Sequence, residues 1–180
     1  MTASSSHLPH FAESGASPPR PRRRSSQPRV PPKSTRYVRR VSYTIVRGNE
    51  PATREKLDTP EATAALARRV IPDDGREHFV ALFLDSQNRL TAVHHVSIGS
   101  LAASIVHPRE VLGPAIREGA PHLLLAHNHP SGDPTPSRED LALTRQLAEG
   151  AQLLGLRIHD HLIIGSGTQA HVSLASRGLL

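Results

Sequence analysis

The chain has no cysteine and no tryptophan, and it has no long apolar segment. Without cysteine there are no disulfides, thiolate zinc sites or cysteine nucleophiles. The zinc deaminase signature, which needs two cysteines, is excluded for the same reason. Nucleotide-binding loops of the Walker A and GxGxxG kinds are also missing. Because no apolar segment follows Met1 and no run is long enough to span a bilayer, we expect a cytoplasmic protein without a membrane partner.

Positive charge is concentrated at the start of the chain. Residues 1–40 contain nine Lys or Arg and one acid, whereas residues 41–180 contain thirteen against fifteen. Residues 1–35 are rich in Pro, Ser and Arg and poor in large apolar side chains, which predicts a disordered basic tail. Such a tail can contact nucleic acid weakly. It is equally well a solvated extension, since no aromatic residues are interleaved with the arginines to stack on bases.

The remaining residues, 36–180, have the length of one ordinary domain, with a core expected at about 58–180. Apolar periodicity, helix caps and turn signals indicate strands that alternate with helices along the sequence. This order predicts an α/β domain around a mixed sheet. A hairpin is expected at Asp85–Asn88, and Pro114 is a possible kink in its helix. Strands are predicted at 41–46, 77–84, 89–98, 122–127, 156–164 and 170–174, and helices at 59–70, 108–118 and 137–154.

The most informative segment is 127–140, HNHPSGDPTPSRED. His127 and His129 end a buried-strand pattern, and side chains two apart on a strand point the same way, about 6.5–7 Å apart. Pro and Gly residues then turn the chain, and Ser137 is a suitable N-cap for a helix whose third residue is Asp140. Three metal-ligand side chains on elements that can converge predict a hydrolytic zinc site with an open coordination position.

Each part of this pattern also has a simpler interpretation. A lone His-x-His is usually structural or at the surface, and a Ser-x-x-Asp before an apolar helix is usually only a capping box. A Pro-rich turn is usually only a turn. All three in this order behind a buried strand are much rarer, so the order, rather than any one part, indicates the metal site.

The segment resembles the motif of the JAMM (MPN+, JAB) metalloprotease family, and more closely that of its RadC-like branch. Similarity continues over about residues 40–180, at Glu77-His78-Phe79, Ser97-Ile98-Gly99, His107-Pro108-Arg109-Glu110-Val111 and Asp160-His161. The resemblance implies a single MPN (JAB) domain with a curved mixed β-sheet flanked by helices, similar to the cytidine-deaminase fold. It also implies one Zn²⁺ held by His127, His129 and Asp140, with a water as the fourth ligand.

The family resemblance also assigns a general base. In JAMM enzymes this is a glutamate at the start of a strand, about fifty residues before the first histidine, and Glu77 lies at that separation. Taken alone, Glu77 is equally well a solvated acid at a strand end. The rival is Glu110, which the preceding His107-Pro108 places in the first turn of a helix. The family serine that matches Ser137 is thought to stabilise the developing oxyanion, and a hydroxyl can both do so and cap a helix.

Other histidines are expected to have lesser roles. His159 and His161 repeat the His-x-His spacing on an apolar strand, but no third ligand follows at a helix start. A structural role is expected there, with His161 a candidate for orienting a metal ligand. His94 and His95 alternate in direction along a strand and cannot both face one ion, so no role is assigned to them.

Two functions of different classes are compatible with the sequence. The first is a zinc-dependent hydrolase, a metallopeptidase or isopeptidase acting on a peptide or protein substrate. The alternative is a nucleic-acid-associated accessory protein of DNA repair in which the zinc is not catalytic. RadC proteins carry an N-terminal helix-hairpin-helix region that the first forty residues are not expected to form, which weakens the alternative. The sequence leaves the particular substrate and the oligomeric state open.

Overall fold

The structure, a computed structural model, describes residues 55–99 and 106–180. The predicted tail at 1–35, the domain boundary at 36 and the predicted strand at 41–46 lie outside the described residues. Those residues form three helices and five strands: α1 Pro60–Val70, β1 His78–Leu84, β2 Leu90–Ile98, α2 Pro108–Glu118, β3 His122–His129, α3 Arg138–Leu153, β4 Arg157–Gly165 and β5 His171–Ser173.

These elements lie close to their predicted bounds, with one difference that affects the site. The strand β3 was expected to end at His127, but it continues to His129. The chain leaves the strand at Pro130, which has no N–H to donate to a ladder. The predicted hairpin joins β1 and β2, and Asn88 in its turn has a left-handed backbone (φ 59°). The helix α2 continues through Pro114 without being interrupted.

The five strands form one open mixed sheet in the order β2-β1-β3-β4-β5. Only β3 and β4 are parallel, and the other neighbours are antiparallel. The connection between the two parallel strands is α3, as a crossover connection requires. The fold is therefore the predicted α/β class, with the candidate site on the central strand.

Alternate residues of β1 and β3 belong to two different hydrophobic clusters. Phe79 and Leu125 pack with α2 and α3 on one face, whereas Val80 and Leu124 pack with α1 on the other. Both faces of the central strands are thus covered, which explains why β1 is buried along its whole length. The odd-numbered positions of β1 and β3 face the layer that contains α3.

The three helices are short and amphipathic. The helix α1 begins as predicted, with the hydroxyl of Thr59 accepting from the Ala62 N–H (3.2 Å) and Pro60 in the first turn. The longest helix, α3, has 16 residues and buries one stripe that includes Thr144, Leu147 and Ala151. None of the helices in 55–99 and 106–180 has the length and apolar content needed to cross a membrane.

Candidate metal centre

The carboxyl end of β3 is where the predicted ligands meet. His127 and His129 continue the odd-numbered face of the strand, so both imidazoles point toward the layer of α2 and α3. The helix α3 begins against this face and brings Asp140 in its first turn. The loop between them, rich in Pro and Gly, spans the distance without regular structure. Sequence spacing alone therefore predicted the convergence of these three side chains correctly.

The potential ligand atoms lie close together and are shielded from solvent. The Nε2 atoms of His127 and His129 are 3.0 Å apart. Asp140 Oδ1 lies 3.2 Å from the first, and Asp140 Oδ2 lies 3.4 Å from the second. His127 and Asp140 are fully buried, whereas the His129 side chain is 17% exposed. Within the described ranges, this group of three can hold a metal ion.

Asp140 is held in place by the helix that it begins. Ser137 is the N-cap: its Oγ accepts from the Asp140 N–H (3.1 Å), and its own N–H donates to Asp140 Oδ2 (2.7 Å). This reciprocal capping box was expected from the sequence. The second carboxylate oxygen, Oδ1, is buried and has no hydrogen-bond partner. A buried carboxylate oxygen facing two imidazole nitrogens fits a bound cation, which would satisfy it.

His129 is oriented by the loop that follows it. Its Nδ1 lies 2.8 Å from the carbonyl oxygen of Asp133. A carbonyl only accepts, so Nδ1 carries the hydrogen and Nε2 of the neutral ring keeps a lone pair. Gly132, with a left-handed backbone (φ 84°), lets the loop turn back to make this contact. The loop therefore directs the Nε2 lone pair toward His127 and Asp140.

The charges of the group reinforce one another. Burial opposes ionisation of Asp140, but the neighbouring His127 and His129 outweigh it and hold the pKa of the carboxyl well below its usual value. The Asp140 carboxylate in turn raises the pKa of His129, with smaller contributions from the Asp133 carbonyl and Glu77. Enclosure in the core lowers the pKa of His161 well below its usual value, so that ring is neutral. The ionised Asp140 carboxylate thus lies where it would attract a cation.

Glu77 lies on the same face as the two histidines. The β1–β3 register pairs Phe79 with His127, and directly paired residues share a face. Extending the alternation back from Phe79 places Glu77 on that face and toward His129, whose pKa it helps to raise. The Gly99 N–H, directly after β2, donates to the Glu77 carbonyl (2.8 Å) and holds this residue at the start of β1. The structure therefore brings Glu77 to the edge of the centre.

Asn128, between the two histidines, fixes the chain around Glu77. Its side chain points away from the centre and accepts from the His78 N–H through Oδ1 (2.7 Å). Its Nδ2 donates to the Arg76 carbonyl (2.9 Å) and to Ser166 Oγ (2.9 Å). The amide thus joins both neighbours of Glu77 to the strand that carries the histidines. Sequence reasoning gave this residue no role, because its partner Arg76 is 52 positions away.

The remaining sequence candidates are distributed differently. Ser137 lies beside Asp140, where its Oγ also donates to Oδ2 (2.7 Å). Glu110 is in the first turn of α2 as expected, exposed and paired with Arg109, and it is not among the potential ligands. His161 is at the centre, with Nε2 2.8 Å from His127 Nδ1. His159 instead packs edge-on against His122 near the start of β3 (centroids 4.5 Å).

Thr144 is a second residue that sequence reasoning missed. Its Oγ1 lies 2.6 Å from the Asp140 carbonyl and 2.6 Å from His161 Nδ1. The sequence did contain a signal that Thr144 lies near the site, because it follows Asp140 by four positions and therefore shares its face of the helix. A hydroxyl on the buried stripe of α3 needs a polar partner, which is a reason to examine such positions in other chains.

The fold is an open mixed α/β sheet with a His/His/Asp group at the end of its central strand that could hold a metal ion. The family model described as the RadC-like JAB domain matches residues 57–179, which include all of the candidate residues. The chain belongs to the RadC-like JAB domain family. The resemblance predicted from segment 127–140 is thereby confirmed.

Several similar proteins are curated under the name UPF0758 protein. That of Syntrophotalea carbinolica is 51% identical over 126 residues, covering 70% of this chain and 55% of the relative. That of Geobacter sulfurreducens is 48% identical over 126 residues, covering 70% and 54%. That of Methanosarcina mazei is 45% identical over 127 residues, covering 71% and 55%. The chain spans about half the length of the curated relatives it matches.

Proposed function

We propose that the chain is a zinc-dependent hydrolase of the cytoplasm, a metallopeptidase or isopeptidase acting on a peptide or protein substrate. The observation that carries the proposal is the grouping of His127, His129 and Asp140, with the Glu77 carboxylate near enough to help raise the pKa of His129. Two imidazoles and one carboxylate form a typical ligand set of catalytic zinc sites. When bound, the ion would polarise the scissile carbonyl and lower the pKa of a water molecule.

Glu77 is proposed to be the general base. Its carboxylate takes a proton from the attacking water, whose oxygen bonds to the carbonyl carbon, and returns the proton to the leaving amine as the C–N bond breaks. The position of Glu77, beside His129 but outside the potential ligand group, supports this division of roles. A site that only stabilised the fold would not need an additional carboxylate there.

Ser137 is proposed to donate a hydrogen bond to the oxyanion that develops on the carbonyl oxygen. In the structure its hydroxyl donates to Asp140 Oδ2, so it must rotate toward the substrate. The helix cap would survive this rotation, because the Ser137 backbone N–H also donates to Oδ2 (2.7 Å). Ser137→Ala should then lower kcat with little change in zinc content.

The base is tested by two matched substitutions. Glu77→Gln should keep about one zinc per chain and abolish turnover, because an amide of the same size cannot relay the proton. Glu110→Gln is the control, since Glu110 is an exposed glutamate whose carboxylate pairs with Arg109. The substrate comes from a cleavage screen of a peptide library, run on the full chain with zinc and again with a chelator. Full activity of Glu77→Gln would assign the base to another residue, and no chelator-sensitive cleavage of any peptide would contradict peptidase function.

The second candidate function is nucleic-acid association with a non-catalytic zinc site. It is favoured by one observation, the nine Lys or Arg residues within positions 1–40. Binding of this kind should weaken steeply with salt, because each phosphate contact releases counterions. Filter binding of single- and double-stranded DNA by the full chain and by a variant lacking residues 1–35 distinguishes it from the hydrolase.

A further inference from the structure

Two ligands on different elements are connected by a continuous hydrogen-bonded chain. His127 Nδ1 contacts His161 Nε2 at 2.8 Å, and His161 Nδ1 contacts Thr144 Oγ1 at 2.6 Å. Thr144 Oγ1 then contacts the carbonyl oxygen of Asp140 at 2.6 Å. All four residues are buried, so water does not compete for these contacts. The chain passes from β3 to β4 to α3 and begins and ends on residues of the metal centre.

The direction of each hydrogen bond follows from the groups themselves. The Asp140 carbonyl only accepts, so Thr144 gives it the single hydrogen of its hydroxyl. The Thr144 oxygen must then accept from His161 Nδ1–H, which leaves a lone pair on Nε2 of the neutral ring. That lone pair accepts from His127 Nδ1–H, and the remaining lone pair of His127 is therefore on Nε2. This is the nitrogen that faces His129 and Asp140.

We propose that Thr144 and His161 are positioning residues that fix the tautomer of His127 before the ion binds. The inference rests on the proposed metal site and adds a cause of its affinity. A free imidazole distributes its hydrogen between both nitrogens, and the form with Nε2–H would present a hydrogen to the cation. Thr144 and His161 disfavour that form, so the Nε2 lone pair of His127 is free to bind the ion. Hydrogen-bond partners of metal-bound histidines generally have this effect.

Phe79 packs against the imidazole rings of both His127 and His161 and holds them in the orientation that their hydrogen bonds need. Its ring stacks on His127, with centroids 6.0 Å apart and planes 10° apart. It also meets His161 edge-on, with centroids 5.3 Å apart. Because these contacts enclose both imidazoles, neither ring can flip without displacing the core. Packing therefore fixes the orientation, and Thr144 fixes the position of the hydrogens.

Zinc affinity of the full chain, measured by competition with a chromophoric chelator, tests the proposal. Thr144→Val keeps the shape but removes the hydroxyl, and it should weaken zinc binding by about 10–100-fold. Thr144→Ser keeps the hydroxyl and should bind within about threefold of the unmodified chain. His161→Gln should weaken binding similarly, whereas the matched His159→Gln on the same strand should not. Equal affinity of Thr144→Val and the unmodified chain would overturn the proposal.

A second measurement remains decisive even if a variant fails to fold. Long-range ¹H–¹⁵N spectra of the metal-free unmodified chain report the tautomer of each histidine, and His127 should show hydrogen on Nδ1 only. A mixture of tautomers, or hydrogen on Nε2, would refute the inference. These readouts do not require hydrolysis: a chain that binds zinc but cleaves nothing contradicts the proposed function alone, and unchanged zinc affinity in Thr144→Val contradicts this inference alone.

Discussion

The two oxygens of the Asp140 carboxylate have different surroundings. Oδ2 accepts from the backbone and hydroxyl of Ser137, whereas Oδ1 is buried without a hydrogen bond and faces the imidazoles. A buried charge that lacks part of its hydrogen bonding is costly, by several kcal/mol in an apolar setting. A bound cation removes this cost. Metal binding should therefore stabilise the fold as well as provide chemistry.

Replacing Asp140 should remove the metal. Asp140→Ala leaves two ligands, fewer than the three that catalytic zinc sites retain, and should reduce zinc from about one ion per chain to background. The control is Glu139→Ala, the adjacent exposed acid in the same first turn of α3, which should keep its zinc. Elemental analysis of both purified variants checks the prediction, and full zinc occupancy in Asp140→Ala would contradict the site.

The apparent zinc affinity should rise with pH. Because Asp140 above all, and then the Asp133 carbonyl and Glu77, raise the pKa of His129, the metal-free ring keeps a proton above the usual histidine range. The ion must displace this proton, so affinity increases as pH approaches the raised pKa and levels off beyond it. Chelator competition between about pH 5.5 and 8.5 measures the effect. An affinity that does not change over this range would be inconsistent with a protonated His129 in the metal-free protein.

At the level of elements, two turns pack against each other beside the centre. The loop 130–133 carries the Asp133 carbonyl that orients His129, and it rests on the turn that joins β4 to β5. The Ser166 N–H donates to the His129 carbonyl (3.0 Å), which joins that turn directly to β3. Gly165 allows this approach, since a Cβ there would lie 2.1 Å from the Gly132 carbonyl oxygen.

Gly165→Ala should therefore disturb both the fold and the site. A methyl group against a backbone oxygen must displace one of the two turns, at a cost of about 1–3 kcal/mol or more in the free energy of unfolding. The displaced loop should also weaken zinc binding through His129. Gly113→Ala in α2 is the control: within residues 55–99 and 106–180 its new Cβ meets only Arg117 Nη2, at 3.8 Å, and the change should stabilise by about 0.5–1 kcal/mol. Urea unfolding of both variants, without and with zinc, measures whether the free energy of unfolding falls for Gly165→Ala and rises for Gly113→Ala.

Local signals predicted the elements well, because their causes are local. Thr59-Pro60 and Ser137 mark helix starts by capping chemistry that operates within four residues, and the structure has both caps. The end of β3 was predicted two residues early. His127 and His129 share a face only where the backbone is extended through His129, so their common direction indicates the strand end better than the apolar run does.

Contacts that depend on how neighbouring strands are aligned could not be predicted from a single sequence. His161 reaches His127 only because β4 pairs with β3 in one particular alignment, with a shift after Leu123. Asn128 likewise reaches Arg76 only because β1 and β3 are antiparallel in their observed register. Register is selected by the packing of whole faces, which no short window of sequence contains. The family resemblance supplied the role proposed for Glu77, and the structure supplied its neighbours.

At the level of the whole molecule, charge is divided between two parts of the chain. Residues 41–180 have two more acids than basic residues, so the net charge of +6 comes from positions 1–40. Asp140, at the proposed hydrolytic centre, is an ionised carboxylate. A polyanion would therefore be attracted to the first forty residues rather than to the centre. Nucleic-acid contact and hydrolysis are expected to be separable.

Deleting residues 1–35 should separate nucleic-acid binding from hydrolysis. The melting temperature, the zinc content and the cleavage of a small peptide should stay unchanged, because this segment is poor in apolar side chains and contains no proposed site residue. Any salt-dependent binding to DNA or RNA should be lost. Differential scanning calorimetry and filter binding measure the two outcomes. A large fall in melting temperature would mean that the predicted domain boundary at 36 is wrong.

The unequal exposure of the three ligands has a consequence for how the ion arrives and leaves. His127 and Asp140 are enclosed by protein, and only His129 is in contact with solvent. Within the part of the chain that the structure describes, the open side of the centre is at His129, so an ion or a chelator would approach from there. His129 would be the first of the three side chains to release a bound ion, while the buried contacts of His127 would keep its Nε2 aligned for recapture. The residence time of the ion should thus depend on the Asp133 loop that holds His129, and not on opening of the core.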